Sequence, residues 1–226
     1  MTRNPRPALD RARLYLVAPF SLAAGDLPEL VPHLAAAGVD IVQLREKNIE
    51  AGELLDKADL VARACESCGI PFIVNDRVDV AAALRGRGLD VGAHVGQDDL
   101  PALDARMLLG SDAVIGLSTH APGEVDGAQT LSSDLDYIAV GPVYETPTKP
   151  GRPAAGTSLL RYATDRVQGP WFAIGGIDRD NLVDVIAAGA RRVVVVRAIT
   201  LADDPIAAAA ELADRLAEAE ASSGAL

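Results

Sequence analysis

Aromatic residues are scarce in this chain: three Phe, four Tyr and one Trp, 4% of 226 residues. The 49% of hydrophobic residues is carried instead by Ala, Val, Leu and Ile, which suits short parallel strands buried beneath Ala-rich helices. Cysteine is rarer still, with only Cys65 and Cys68, in "CESC". No second cysteine pair is there to complete a structural zinc site. Leu54, Ala58, Val61, Cys65 and Cys68 share one helical stripe, so both thiols are expected to pack against a core. Positive charge is short as well: 21 Lys and Arg against 32 Asp and Glu give a net charge of −11. That balance argues against a broad nucleic-acid footprint, which needs a basic stripe. Any phosphate must be held by a few local groups against the overall field. No apolar run is long enough to span a bilayer, and "MTRNPRPALDRAR" lacks the apolar core of a secretory signal. The chain is expected to be cytoplasmic, with no membrane or nucleic-acid partner. Loose tails are expected over 1–12 and 221–226.

What the sequence does have is a unit that repeats. A short apolar run is followed by a helical run and a loop: "RLYLVAP", "DIVQLRE", "PFIVND", "DVGAHVG", "AVIGLST", "YIAVGPV", "WFAIGG" and "RRVVVVRAI" each lead into a helix-like segment. Segments such as "AAGVDIVQLR" and "AAGARRVVVV" share a glycine just ahead of the next strand, where a left-handed helix cap belongs. Eight strand–helix alternations predict an α/β protein, a single (β/α)8 TIM barrel over 13–220. A doubly wound open sheet is the alternative; even units and no GxGxxG after the first strand count against it. No Pro- or Ser-rich linker divides the chain, so one catalytic domain is expected.

In such a barrel, functional groups come from the C-terminal ends of the strands and the loops beyond them. Strand two ends in "QLREK", where a spacing of two puts Gln43, Arg45 and Lys47 on one strand face. Two cations and an amide at a barrel mouth make a good anion site, while a salt-bridged core is the plainer reading. Strand three ends in "VNDR", with Asn75 and Asp76; strand four leads into "HVGQDD", with His94 and Asp99. Neighbouring strands lie about 4.8 Å apart, so Asp76 and Asp99 can approach one ion. Hard oxygen donors without His or Cys point to Mg2+; helix capping by the same aspartates is the alternative. Strand five ends in "GLSTH", with Ser118. Strand seven ends in "AIGGI", where Gly175 and Gly176 can bring bare N–H groups to a phosphate. Val196 and Arg197 lie at the end of strand eight, with Val193 and Val195 on one face with Arg197; if that face points inward, the guanidinium emerges at the barrel mouth. Arg197 either reaches a phosphate or pairs with an acid such as Asp178. His33 and His120 have no partner in this pattern. No Ser–His–Asp set or reactive cysteine stands out, which suggests chemistry by positioning and charge neutralisation.

These motifs, with "GPVYETPTK" after strand six, resemble the thiamine phosphate synthase family from about Leu14 to the last helix. The resemblance implies a (β/α)8 barrel enzyme, a transferase. Such an enzyme joins 4-amino-5-hydroxymethyl-2-methylpyrimidine diphosphate to 4-methyl-5-(2-phosphoethyl)thiazole, giving thiamine phosphate and diphosphate. It implies that Arg45, Lys47, Lys149 and Ser118 bind the diphosphate and serve catalysis. Gln43, Asn75 and His94 then fall on the pyrimidine side, and Asp76 and Asp99 hold Mg2+. Thr146, Thr148 and the glycines after strand seven match contacts to the thiazole phosphate. Arg197 departs from the pattern, since the family commonly has a small residue there. The long Gly- and Pro-rich excursion from Val140 to Gly156 then reads as a lid. It would carry Lys149 to the leaving group and exclude water from a pyrimidine cation. A thiazole tautomerase of the same superfamily, or a non-catalytic thiamine-phosphate-binding regulator, are the rival functions, and homo-oligomerisation is left open.

Overall fold

The computed structural model describes residues 7–146 and 153–223. From the N-terminus it runs α1 (Pro7–Arg11), β1 (Leu14–Ala18), β2 (Ser21–Leu22), β3 (Gly25–Asp26), α2 (Leu27–Ala36), β4 (Ile41–Leu44) and α3 (Ala51–Cys68). It continues through β5 (Phe72–Asn75), α4 (Val78–Gly86), β6 (Val91–Val95), α5 (Ala102–Leu109), β7 (Ile115–Thr119) and α6 (Pro122–Thr130). Then come β8 (Tyr137–Val140), α7 (Gly156–Arg166), β9 (Trp171–Ile174), α8 (Leu182–Ala187), β10 (Val193–Val195), α9 (Arg197–Thr200) and α10 (Pro205–Ser223). The eight predicted strands close into a parallel barrel in the order β1-β10-β9-β8-β7-β6-β5-β4, while β2 and β3 pair antiparallel beside it. This is the (β/α)8 barrel.

Both faces of each barrel strand are covered, which is why β1, β6 and β7 are buried along their whole length. Leu14, Leu16 and Ala18 point outward into the layer under the helices, with Leu34, Val61 and Leu212. Tyr15 and Val17 point inward, with Ile41, Ile73, Tyr137, Phe172 and Val194. Three of the few aromatics meet on the barrel axis: Tyr15, Tyr137 and Phe172 contact one another edge-on, with centroids 5.4–5.8 Å apart. Gly116 makes room for them, because a Cβ there would overlap the Tyr137 ring. The cysteine stripe is as expected, with Cys65 fully buried and Cys68 half-buried on α3; burial pushes the Cys65 thiol up.

Three expectations need correction. Residues 7–12 are no loose tail: α1 places Leu9 and Ala12 in the interior cluster at the start of the barrel, each 1% exposed. Two apolar side chains inside "PALDRAR" were enough to plug that end. At the other terminus α10 persists to Ser223. The eighth strand is also shorter than "RRVVVVRAI" suggests, since α9 starts at Arg197. Val194 and Val196, not Val193 and Val195, belong to the interior.

Candidate active site

Gln43 turns into the barrel beside Val17 and Ile73, its partners in register. It is only 3% exposed, and a buried amide needs partners. Its Nε2 donates to Tyr15 Oη at 2.6 Å. Tyr15 Oη lies 2.8 Å from Tyr137 Oη, which lies 3.0 Å from His94 Nδ1. His94 Nε2 lies 2.9 Å from Ser118 Oγ, and the imidazole stacks on the Tyr137 ring. Five side chains from β4, β1, β8, β6 and β7 thus form one hydrogen-bonded chain across the barrel. Gln97 Nε2 donates to the Ser118 carbonyl at 2.6 Å, which fixes the end of β7.

The acidic pair lies just beyond β5 and β6. Asp76 takes a left-handed backbone, φ 61°, and its N–H donates to the His94 carbonyl at 2.8 Å. Its carboxylate accepts from Lys47 Nζ at 2.8 Å and shares a hydrogen bond with Asp99. Asp99 Oδ2 accepts the Gly96 N–H at 2.7 Å. Burial pushes the Asp76 carboxyl up, but Lys47, by hydrogen bond and charge, outweighs it with help from Asp99 and Asn75. Asp76 sits below the usual carboxylate range. Asp99 sits above it, because burial and the negative charge of Asp76 outweigh the Gly96 N–H. Two carboxyls pushed apart in this way are what a close pair does when no cation separates them. The capping alternative does not hold: α4 and α5 begin after Arg77 and Pro101, with no side-chain cap bond at either.

The predicted face of Gln43, Arg45 and Lys47 is only partly formed. β4 stops at Leu44, and Asn48 at φ 58° turns the chain away. Gln43 is interior, whereas Arg45 is half-buried and Lys47 exposed. The Arg45 N–H still bonds the Ala18 carbonyl. Its guanidinium has no hydrogen bond or ion pair to a described residue.

Across the ring, β8, β9 and β10 border a cavity of about 400 Å3. It is lined by Thr146, Gly175, Gly176, Val196 and Arg197, together with His120, Glu145 and Asp178. Gly175 (φ +105°) and Gly176 (φ +66°) have conformations that side chains resist. A Cβ on Gly175 would also lie 2.5 Å from Pro142. Arg197 is exposed and makes no ion pair to a described residue, Asp178 included. His120 does have a partner, contrary to the expectation: its Nδ1 lies 2.6 Å from the Gly141 carbonyl. His33, at the last turn of α2, is exposed. Thr148 and Lys149 lie outside the described residues.

In the strand order, β9 and β10 stand opposite β5 and β6. The mouth therefore has two halves: cationic and acidic groups on one side, a glycine-lined cavity on the other, and the buried chain from Gln43 to Ser118 between them. Residues 14–199 match the family described as thiamine monophosphate synthase. The chain belongs to that family. Relatives named thiamine-phosphate synthase include one from Acidothermus cellulolyticus, 52% identical over 95% of this chain and 99% of its own length. Another, from Thermobifida fusca, is 50% identical over 98% of this chain and 100% of its own length. A solved thiamine phosphate pyrophosphorylase from Pyrococcus furiosus superposes with a TM-score of 0.81 at 27% identity, covering 93% of this chain and 98% of that one.

Within this family frame, sequence reasoning located Gln43, Asn75, His94 and Ser118 at strand ends and the glycines at their cavity. It missed Tyr15 and Tyr137, the two residues that join Gln43 to His94. Their signal was polarity: each brings a hydroxyl into an interior whose other members, Phe172 among them, are apolar.

Proposed function

We propose that the chain is a thiamine phosphate synthase that joins 4-amino-5-hydroxymethyl-2-methylpyrimidine diphosphate to 4-methyl-5-(2-phosphoethyl)thiazole. The bond from the pyrimidine methylene to the diphosphate oxygen breaks, and its electron pair leaves with the diphosphate. The thiazole nitrogen lone pair then forms the new C–N bond, giving thiamine phosphate. The observation that carries this reading is the two-sided mouth, which offers separate anion sites for the two substrates. The half-buried guanidinium of Arg45, unpaired among the described residues, can take the diphosphate, as can Lys47, released from Asp76. Ser118 donates between the two halves, and Lys149 supplies positive charge to the leaving group. Gln43, Asn75 and His94 hold the pyrimidine. The N–H groups of Gly175 and Gly176, with Thr146, Thr148, Val196 and Arg197, hold the thiazole phosphate.

The acidic pair fits a Mg2+ ion by its chemistry: two hard carboxylates with no His or Cys between them, on the half of the mouth that carries Lys47. Asp76 and Asp99 would hold it, and when bound it would neutralise charge on the departing diphosphate. The pair also keeps Lys47 in reach before substrate binds. No described helix is long and apolar enough to cross a membrane, and a cytoplasmic location belongs to the same proposal. Incubation with both substrates and Mg2+ tests the function. Diphosphate release with a new thiazolium product is expected. Isomerisation of the thiazole alone would replace this reading with the tautomerase one, and binding without turnover with a regulator.

A further inference from the structure

With Gln43 turning its Nε2 to Tyr15, and with His94 neutral, one direction follows for the buried chain from Gln43 to Ser118. Gln43 offers Nε2, which can only donate, to Tyr15 Oη at 2.6 Å. Tyr15 has one proton, and its oxygen is already accepting, so that proton goes to Tyr137 Oη at 2.8 Å. The Tyr137 proton has one acceptor left, His94 Nδ1 at 3.0 Å. A neutral imidazole that accepts at Nδ1 carries its proton on Nε2, and that proton goes to Ser118 Oγ at 2.9 Å. Ser118 thus receives one hydrogen bond and keeps its own proton.

We infer that Tyr15 and Tyr137 are positioning residues: they fix His94 as the Nε2–H tautomer and so hold Ser118 as a hydrogen-bond donor toward the leaving group. This rests on the proposed role of Ser118 at the diphosphate. With the opposite polarity, Ser118 would give its proton to His94 and turn lone pairs toward an anion, which is repulsive. No other described residue bonds Ser118 Oγ. Burial pushes both phenols up, so each keeps the proton it must pass on. Gly116 is part of the device, since any side chain there would meet the Tyr137 ring and hydroxyl. Dipoles aligned head to tail in a low-dielectric interior also strengthen one another. This ordering is fixed before substrate arrives, as electrostatic preorganisation requires.

Imidazole NMR on the full chain with isotope-labelled histidine reads the tautomer directly. Only three histidines are present, and His94 is assigned by the signals lost in His94→Gln. Wild type is expected to show His94 protonated at Nε2 and bare at Nδ1. Ser118→Ala should leave that state unchanged, because Tyr137 still donates to Nδ1. Tyr137→Phe, which keeps the ring, should turn one tautomer into a mixture. Gln43→Glu is the decisive variant, read at a pH where infrared shows its buried carboxyl ionised: the carboxylate accepts from Tyr15, reverses every bond and switches His94 to Nδ1–H. A wild-type Nδ1–H tautomer, or no switch in a folded Gln43→Glu whose carboxyl is ionised, overturns the inference. Diphosphate release by the same wild-type sample tests the function separately: no release alongside the expected tautomer overturns the function and leaves the relay standing.

Discussion

One substitution at two arginines separates the site from the scaffold. Arg106, on α5, is buried with its side chain 10% exposed beside Asp136 at 6%. Its Nη1 donates to the Gly110 carbonyl at 2.8 Å and the Ala113 carbonyl at 2.6 Å. Its Nη2 donates to the Asp134 carbonyl at 3.1 Å and to Asp136 Oδ2 at 2.9 Å. Asp136 in turn accepts the Ile115 N–H at the start of β7. Arg106→Met keeps the stem's packing but takes the guanidinium away from a buried carboxylate that also accepts the Ile115 N–H. Removing one partner of a buried pair costs about 3–5 kcal/mol. Water can reach the half-buried Gly110 and Asp134 carbonyls, so the lower end applies, about 3 kcal/mol. For a chain of this size that lowers Tm by roughly 6–12 °C.

Arg45→Met should do the reverse. No described residue holds the guanidinium, and the backbone bond to Ala18 survives. Stability should move by no more than about 0.5 kcal/mol. Affinity for the pyrimidine diphosphate should fall, since a hydrogen bond to a charged group contributes about 1.5–3 kcal/mol, or roughly tenfold to a hundredfold. Urea melts and substrate titrations on both variants read the two effects side by side. Adding Asp136→Asn to Arg106→Met should recover part of the lost stability, because the buried charge that lost its arginine is removed as well. The reasoning fails if Arg106→Met costs less than about 1 kcal/mol. It fails too if Arg45→Met destabilises the fold as much as it weakens binding.

Three further outcomes bear on the site. Chelation with EDTA, or Asp76→Ala, should depress turnover strongly without unfolding the barrel; full activity in metal-free buffer would defeat the assignment of Asp76 and Asp99. Lys149→Ala should slow bond ionisation in single turnover more than it weakens thiazole binding, because its charge matters most as the leaving group gains charge. A change confined to the thiazole Michaelis constant would count against that. Arg197→Ala should raise the thiazole-phosphate dissociation constant about tenfold and spare the pyrimidine substrate; equal loss for both would mean that Arg197 only orders the loops.

The barrel was legible because its strands are short, apolar and regularly spaced, and because each is followed by a helix-like run. Boundaries were harder where one segment changes role. In "RRVVVVRAI" four valines suit a strand equally well in either register, so alternation alone could not choose the inward face. Only the position of α9 at Arg197 shows that Val194 and Val196 turn inward. The same limit acted at "QLREK". Extending a two-residue period beyond Leu44 put three polar groups on one face, whereas the left-handed Asn48 ends the strand geometry. Asp76 and Asp99 were legible as a pair, because adjacent parallel strands bring their ends together whatever the loops do.

Tyr15 and Tyr137 show what a linear reading cannot weigh. They lie 122 positions apart, and each taken singly is an inward aromatic in a buried strand. Their meaning comes from closure of the ring, which sets β1 and β8 across the axis within reach of one another. An aliphatic barrel could fill the same volume, and phenylalanines could fill it better, since buried hydroxyls must find partners or cost stability. Here, among the described residues, the hydroxyls are satisfied by each other, by Gln43 and by His94. A core chosen for packing alone has no need of that chain. A core that must present an oriented hydroxyl at Ser118 does, and this explains why two of the few aromatic residues are tyrosines on the barrel axis.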